Sequence, residues 1–400
     1  MKLRKRRISI LLSMLLLLSV FQPAVALDVD PDFEQIYEIG TRLLGDIEHE
    51  KELYGLGGVN FDNLYIGEYI PAYIAKETGL VLSDVRNYPV LENGEWVATL
   101  TCSKSDGIWN AQLSNTFVPE LPEISANDSL QFVFEGDTTY LIKNTSIYNM
   151  TYKGEEERAG IASASRSTIL LDGQKLVNKR EIKLGMYDGV VHNRSSSLPG
   201  QATLQIPLVS KFQSQAQYNM HMAEKAKPAG ERDGSKIIGA CWAASAKAIG
   251  QKFGINKSID EIYEETGNYT KYLGHNFGGH VSALSSIFGL YTDIHINGLY
   301  YVNIQEALAA DRPVSGYVRL VLDDGTISGH MVAIRGYVSY YNSSEYVGSF
   351  TYVENETYPA TSVAVSVTHA QSTLAQLDYY YLGKLRGAFT QFCISSDEIF

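Results

Sequence analysis

Between positions 30 and 54 the apolar residues Phe33, Ile36, Tyr37, Leu43, Leu44 and Ile47 fall at the spacing of one helix face, which predicts an amphipathic helix. The period then shortens. Residues 64–74, 80–100, 108–118, 130–134 and 140–152 alternate apolar and polar positions in runs broken by turn residues, among them Asn93-Gly94 and Gly136-Asp137. Such alternation belongs to half-buried antiparallel strands, so residues 27–187 are expected to form a mostly antiparallel-β N-terminal domain behind a leading helix. Trp96, Trp109, Phe132 and Phe134 are expected in its core.

Periodicity lapses from Asp188 to Thr203, where Ser, Pro and Gly accumulate without a sustained apolar face. A linker is placed at 188–203, with Arg194 as a candidate nicking site. In 204–400 helical patterns come first. One opens at Cys241, and one starts at Ile259 with Ser258 as its cap and Glu261 set to reach back. Others run over 280–288 and 303–310, the last stopped by Asp311-Arg312-Pro313. Residues 314–321, 330–338, 350–355, 362–367 and 379–382 are then rich in β-branched and aromatic side chains and predict strands. Helices followed by antiparallel strands make an α+β domain.

Composition adds a cellular context. Met1-Lys2-Leu3-Arg4-Lys5-Arg6-Arg7, the apolar run 8–20 and Pro23-Ala24-Val25-Ala26 have the three parts of a secretory signal peptide, so cleavage after Ala26 and export are expected. The apolar run is shorter than the roughly 20 residues of a spanning helix, and stable membrane insertion is not expected after cleavage. Losing 1–26 takes Lys plus Arg from 33 to 28 against 45 Asp plus Glu, and the net charge from −12 to −17. So acidic a chain is not expected to bind nucleic acid. Cys102, Cys241 and Cys393 are too few for a disulfide framework, and Cys102 and Cys393 are expected to be unpaired. Eight Asn-x-Ser/Thr sequons, Asn127, Asn144, Asn149 and Asn355 among them, would accept glycans in a eukaryotic secretory pathway, so a bacterial source suits the sequence better. His275 and His280 flank Asn276-Phe277-Gly278-Gly279, but no Cys, Asp or Glu stands at ligand spacing, and neither metal nor other cofactor is expected.

One cysteine stands out chemically. Gly239-Ala240-Cys241-Trp242-Ala243-Ala244-Ser245-Ala246-Lys247-Ala248-Ile249 sets Cys241 at the start of a helix whose alanines permit close packing. Unpaired N–H groups there favour a thiolate. Such a nucleophile needs a base. Gly329-His330-Met331-Val332-Ala333-Ile334-Arg335-Gly336-Tyr337 opens a strand with a histidine, whereas His49, His192, His221 and His369 lie in polar or unpatterned stretches where a solvated ring is the default. On the next strand, Tyr352-Val353-Glu354-Asn355 offers a carboxylate and an amide, either of which can accept the far N–H of the imidazole. They face opposite sides, so only one serves.

These blocks, in this order, resemble the Cys, His and Asn/Asp blocks of papain-like cysteine peptidases, most closely the bacterial staphopain-like and bacteriocin-leader-peptidase-like branches. The resemblance covers residues 205–400. It implies a papain-like fold for that half, catalytic Cys241 and His330, and Asn355 in preference to Glu354 as the residue orienting the imidazole. The family also carries a glutamine shortly before the cysteine, whose amide helps to stabilise the oxyanion. Residues 232–240 contain none, and Gln213 or Gln215 is the expected donor, across the long polar segment 218–239.

The implied activity is hydrolysis of peptide or protein substrates by a secreted bacterial enzyme made as a precursor. Residues 27–187 would act as a propeptide inhibiting or helping to fold it, or as an accessory domain. Two alternatives stay open: a transglutaminase-like acyltransferase using the same residues, and a non-catalytic secreted binding protein on the same fold.

Overall fold

The computed structural model describes residues 32–400 except 77–78, 106, 116–123, 125–127, 136–137, 145, 151–173, 176–178, 182–200, 226, 228, 268–276, 297–300, 322–326, 343–344, 368–377, 382–383 and 398–400. The expected signal peptide, Arg194 and His275 lie outside the described residues. Among the described residues, two compact units are distinguished, divided between Glu38 and Ile39. The leading amphipathic pattern becomes helix α1 (Phe33–Ile47) and a 3-10 segment, Glu48–Tyr54, which stops where Gly55 turns left-handed at φ 69°.

Strands follow as the alternation predicts: β1 (Leu64–Gly67), β2 (Ala72–Lys76), β3 (Gly79–Leu82), β4 (Arg86–Glu92), β5 (Glu95–Ser105), β6 (Ile108–Ser114), β7 (Ser129–Glu135), β8 (Thr138–Lys143) and β9 (Ser146–Asn149). Short β10 (Gln174–Lys175), β11 (Lys179–Glu181) and β12 (Gln201–Thr203) come next. The second half contains α2 (Gln215–Lys225), α3 (Cys241–Lys252), α4 (Ile259–Glu265), α5 (Phe277–Ser282), β13 (Tyr291–Ile296), α6 (Tyr301–Ala309), β14 (Val314–Val321), β15 (Ile327–Asn342), β16 (Glu345–Glu354), β17 (Thr361–Val367), β18 (Asp378–Tyr381) and β19 (Lys384–Ser396). The class is α+β with largely antiparallel sheets, although β2 and β7 run parallel. The capping box before α4 is present: Glu261 N donates to Ser258 Oγ at 3.1 Å, and Ser258 N to Glu261 Oε2 at 2.6 Å.

The larger sheet runs β11-β1-β4-β5-β6-β17-β16-β15-β14-β19-β13 and does not stop at the expected linker. Its two halves meet where β6 pairs with β17, Leu113 opposite Ala364 and Gln112 opposite Val365. The physical reason lies in β6, whose five central residues, Trp109 to Leu113, are all buried. A strand buried on both faces is not an edge strand and needs a neighbour on each side. Residues 201–203, assigned to the linker from composition, form β12 and pair with β15, Ala202 opposite Tyr337. Trp96, Trp109, Phe132 and Phe134 are buried as expected. Among the described residues the pattern also missed α2 in the polar segment, the short strands β10 and β11, and strands β13 and β19.

Candidate active site

Helix α3 begins at Cys241, and its cap residue, Ala240, supplies no side-chain hydrogen bond to the first turn. Ala243, Ala244, Ala246 and Ala248 are buried, so the absence of bulk lets the helix lie against β15. Ser245 Oγ donates to the Met331 carbonyl at 2.9 Å and fixes the first turn of α3 beside His330. The Cys241 thiol and the His330 imidazole line one cleft, close enough for each to shift the other's pKa. The nucleophile and base proposed from residues 89 positions apart in sequence thus meet.

His330 is the fourth residue of β15, not its first, because the strand begins at Ile327 and pairs with β14, Val318 opposite His330. Its Nε2 lies 3.0 Å from Glu354 Oε1. Glu354 is buried and accepts two further hydrogen bonds, from Glu356 N to Oε1 at 2.9 Å and from the Tyr379 hydroxyl to Oε2 at 2.6 Å. With Nε2 facing this carboxylate, Nδ1, 3.9 Å from Glu356 Oε2, is the nitrogen left for the sulfur.

Asn355, the orienter expected by family analogy, turns the other way. Its Nδ2 faces the carbonyls of Cys241 and Met331 at 3.2 and 2.9 Å and Ser245 Oγ at 3.0 Å. Alternation along the chain sends neighbouring side chains to opposite sides, and here the carboxylate takes the side of the imidazole. Asn355 instead ties the start of α3 to β15.

A second buried group adjoins the first. Lys211 Nζ pairs with Glu356 Oε2 at 2.5 Å, and Lys225 Nζ lies 3.3 Å from Glu356 Oε1. His221 Nε2 is 3.1 Å from Glu356 Oε1, while its Nδ1 accepts from Ile238 N at 2.9 Å. That pattern requires the neutral tautomer with the proton on Nε2. His221, expected to be solvated, is therefore buried, and it holds the segment leading into Cys241. Lys211, His221 and Glu356 were missed by the sequence reading.

The two expected oxyanion glutamines hydrogen-bond elsewhere: Gln213 Nε2 donates to Asp260 Oδ2 at 3.2 Å, and Gln215 Nε2 to Asn219 Oδ1 at 2.8 Å. Neither lines the cleft of about 290 Å³ that opens over the thiol. Its walls include Cys241, His330, Lys211, Lys225, Glu356 and Arg386. All its lining residues fall between 211 and 386, so among the described residues the N-terminal half contributes none.

Electrostatics favour an ion pair in this site. Burial alone would lower the basicity of His330, but the charge of Glu354 and hydrogen bonding with Cys241 and to Glu354 raise its pKa to about 10. Burial would likewise push the Cys241 thiol up, yet the hydrogen bond and charge of His330, with the charge of Lys211, bring it below its usual range. Glu356 is held well below the carboxylate range because Lys211 and Lys225 outweigh its burial. The arrangement can supply a thiolate nucleophile and an imidazolium acid in contact.

None of Cys102, Cys241 and Cys393 is in a disulfide. Cys393 is buried in β19, and burial pushes its thiol up to about 12, the opposite of Cys241. His280, half of the considered metal pair, is buried and bonded on both nitrogens, to the Trp242 carbonyl at 2.9 Å and Ser315 Oγ at 2.8 Å. No family model matches this chain, and a search of curated proteins finds no match.

Proposed function

We propose that this chain is a papain-like cysteine endopeptidase, exported by a bacterium, that hydrolyses peptide bonds with Cys241 as nucleophile and His330 as acid and base. The observation that carries this reading is one arrangement: Cys241 at the start of α3 shares a cleft with His330, each shifting the other's pKa, and the far nitrogen of His330 rests on buried Glu354. The orienting residue in this reading is Glu354. Export rests on the charged, apolar and small-residue parts of 1–26.

In the proposed reaction the Cys241 thiolate attacks the scissile carbonyl carbon, forming a tetrahedral oxyanion. The imidazolium of His330 gives its proton to the leaving amine as the C–N bond breaks and a thioester remains. Water, deprotonated by the now neutral His330, attacks the thioester; the thiolate departs and the acid product forms. The oxyanion meets the backbone N–H of Cys241 at the helix start. The Lys211 ammonium in the cleft wall supplies positive charge where the family uses glutamine.

A peptide-library digestion with the full chain, the cleaved ends sequenced, tests the reading. Cys241→Ala should fold and release nothing. Cleavage by that variant, or a Cys241 that reacts with a peptide electrophile at neutral pH no faster than a free thiol, would overturn it. Adding a primary amine to the same digestion separates hydrolysis from acyl transfer.

A further inference from the structure

We infer that Gln112, on β6 of the N-terminal half, is a positioning residue for His330, which makes that half part of the working site and not a detachable restraint. This rests on the peptidase reading above. The path is continuous. Gln112 is buried, and its amide brackets the backbone of Tyr380: Nε2 donates to the Tyr380 carbonyl at 3.1 Å, and Tyr380 N donates to Oε1 at 3.4 Å. The same Oε1 accepts from the Tyr352 hydroxyl at 3.2 Å.

The bracket matters because of the strand it grips. β18 has four residues, pairs with β19, and carries a register shift between Tyr379 and Tyr380. Among the described strands β18 pairs with β19 alone, and Gln112 adds a second hold on the Tyr380 backbone, while Ser103 of β5 hydrogen-bonds with the Tyr380 hydroxyl. Alternation then sends Tyr379 the opposite way from Tyr380. The Tyr379 hydroxyl reaches Glu354 Oε2 at 2.6 Å, and its ring lies 5.4 Å from the His330 ring and 6.3 Å from that of Tyr352. The chain of contacts is Gln112, Tyr380 backbone, Tyr379, Glu354, His330.

Glutamine suits this place chemically. It is long enough to span from β6 and presents a donor and an acceptor together, matching the C=O and N–H of one residue. A leucine fills similar space but removes all three of these hydrogen bonds. A glutamate keeps the acceptors but loses the donor to the Tyr380 carbonyl.

The test uses the full chain with Gln112→Leu, Gln112→Glu and a remote control, Val133→Ala, in the small cluster of Val133, Tyr140 and Ile142. Alkylation of Cys241 by iodoacetamide is followed against pH, and kcat and KM against a peptide substrate. Gln112→Leu is expected to lower kcat about 10- to 100-fold with little change in KM, and to move the pH of half-maximal alkylation upward. Gln112→Glu should fold and show a smaller shift in the same direction. Val133→Ala should melt earlier with an unmoved profile. Gln112 variants that melt earlier but keep the wild-type profile and kcat would overturn the inference. Should Gln112→Leu not fold, Gln112→Glu decides alone. Because alkylation needs no substrate, it reads the Gln112 effect even if wild type cleaves no peptide, an outcome that sinks the peptidase reading separately.

Discussion

Glu354 Oε1 lies 3.0 Å from His330 Nε2, so a buried carboxylate, not the adjacent amide, faces the imidazole. The distinction is one of charge as well as geometry. An amide orients the ring and fixes its tautomer; a carboxylate also holds the second proton on it. Two unit charges about 3 Å apart interact by several kcal/mol at an effective dielectric of about 20, enough to outweigh the desolvation that pushes buried histidines toward neutrality.

Glu354→Gln keeps an acceptor for Nε2 and removes only the charge. The His330 pKa should then fall toward its ordinary value, depleting the thiolate–imidazolium pair at neutral pH. We expect kcat/KM to drop about 100-fold or more, with the alkaline limb of the pH–rate profile moving to lower pH. Asn355→Ala should behave differently. It unties Cys241, Ser245 and Met331, costing about 1–3 kcal/mol in urea unfolding, and leaves the alkaline limb in place.

The pH window of the ion pair follows from the two shifts. Cys241 ionises below its usual range and His330 keeps its proton up to about 10. Peptide turnover should therefore rise with pH through the lowered thiol pKa, run flat, and fall on approaching pH 10. Stability has its own sign. A histidine raised from 6.5 to about 10 contributes fully below pH 6.5, and that contribution is lost as pH rises through about 10. Urea midpoints from pH 6 to 10 should decline in wild type and decline less in Glu354→Gln.

Cys241 and His330 were legible in the sequence because each is marked by its immediate neighbours: small residues after a cysteine, a β-branched run after a histidine. The choice between Glu354 and Asn355 was not. Alternation says that they diverge, and only the pairing of β16 with β15, the strand of His330, decides which one meets the ring. His221 shows the same limit. It lies in a polar stretch, and its burial depends on Lys211 and Glu356, 10 and 135 positions away. The union of the halves was hidden for a related reason. A strand such as β6 advertises its burial in its own residues, but its partner β17 lies some 250 residues later, and periodicity carries no information about pairing over that distance.

Lys211 separates stability from reactivity. Its ammonium is buried and pairs with Glu356 at 2.5 Å. Lys211→Met takes the closest cation from Glu356, leaving partially exposed Lys225 at 3.3 Å and the His330 imidazolium at 3.9 Å, and breaking a buried pair from one side costs about 3–5 kcal/mol. The double variant Lys211→Met/Glu356→Gln removes both charges and should recover most of that loss in urea unfolding. It should not recover reactivity. Cys241 loses the Lys211 charge that lowers its pKa together with the smaller, opposing effect of Glu356, so the alkylation midpoint should stay above that of wild type.

The packing of α3 gives a test in which two effects oppose. Gly250 sits inside this helix, and replacing glycine by alanine in a helix interior ordinarily gains about 1 kcal/mol. Here the added methyl would run into the Phe288 ring, with three ring carbons inside van der Waals contact. Both partners are buried, so the ring has little room to yield, and overpacking of this kind costs about 1–3 kcal/mol. The clash should win, making Gly250→Ala less stable than wild type. If the ring is the obstacle, Phe288→Leu opens the space the methyl needs. Phe288→Leu/Gly250→Ala should then lose clearly less stability than the two single losses combined, a non-additivity that a thermal or urea double-mutant cycle measures directly. A strictly additive cycle would place the cost of Gly250→Ala somewhere other than Phe288.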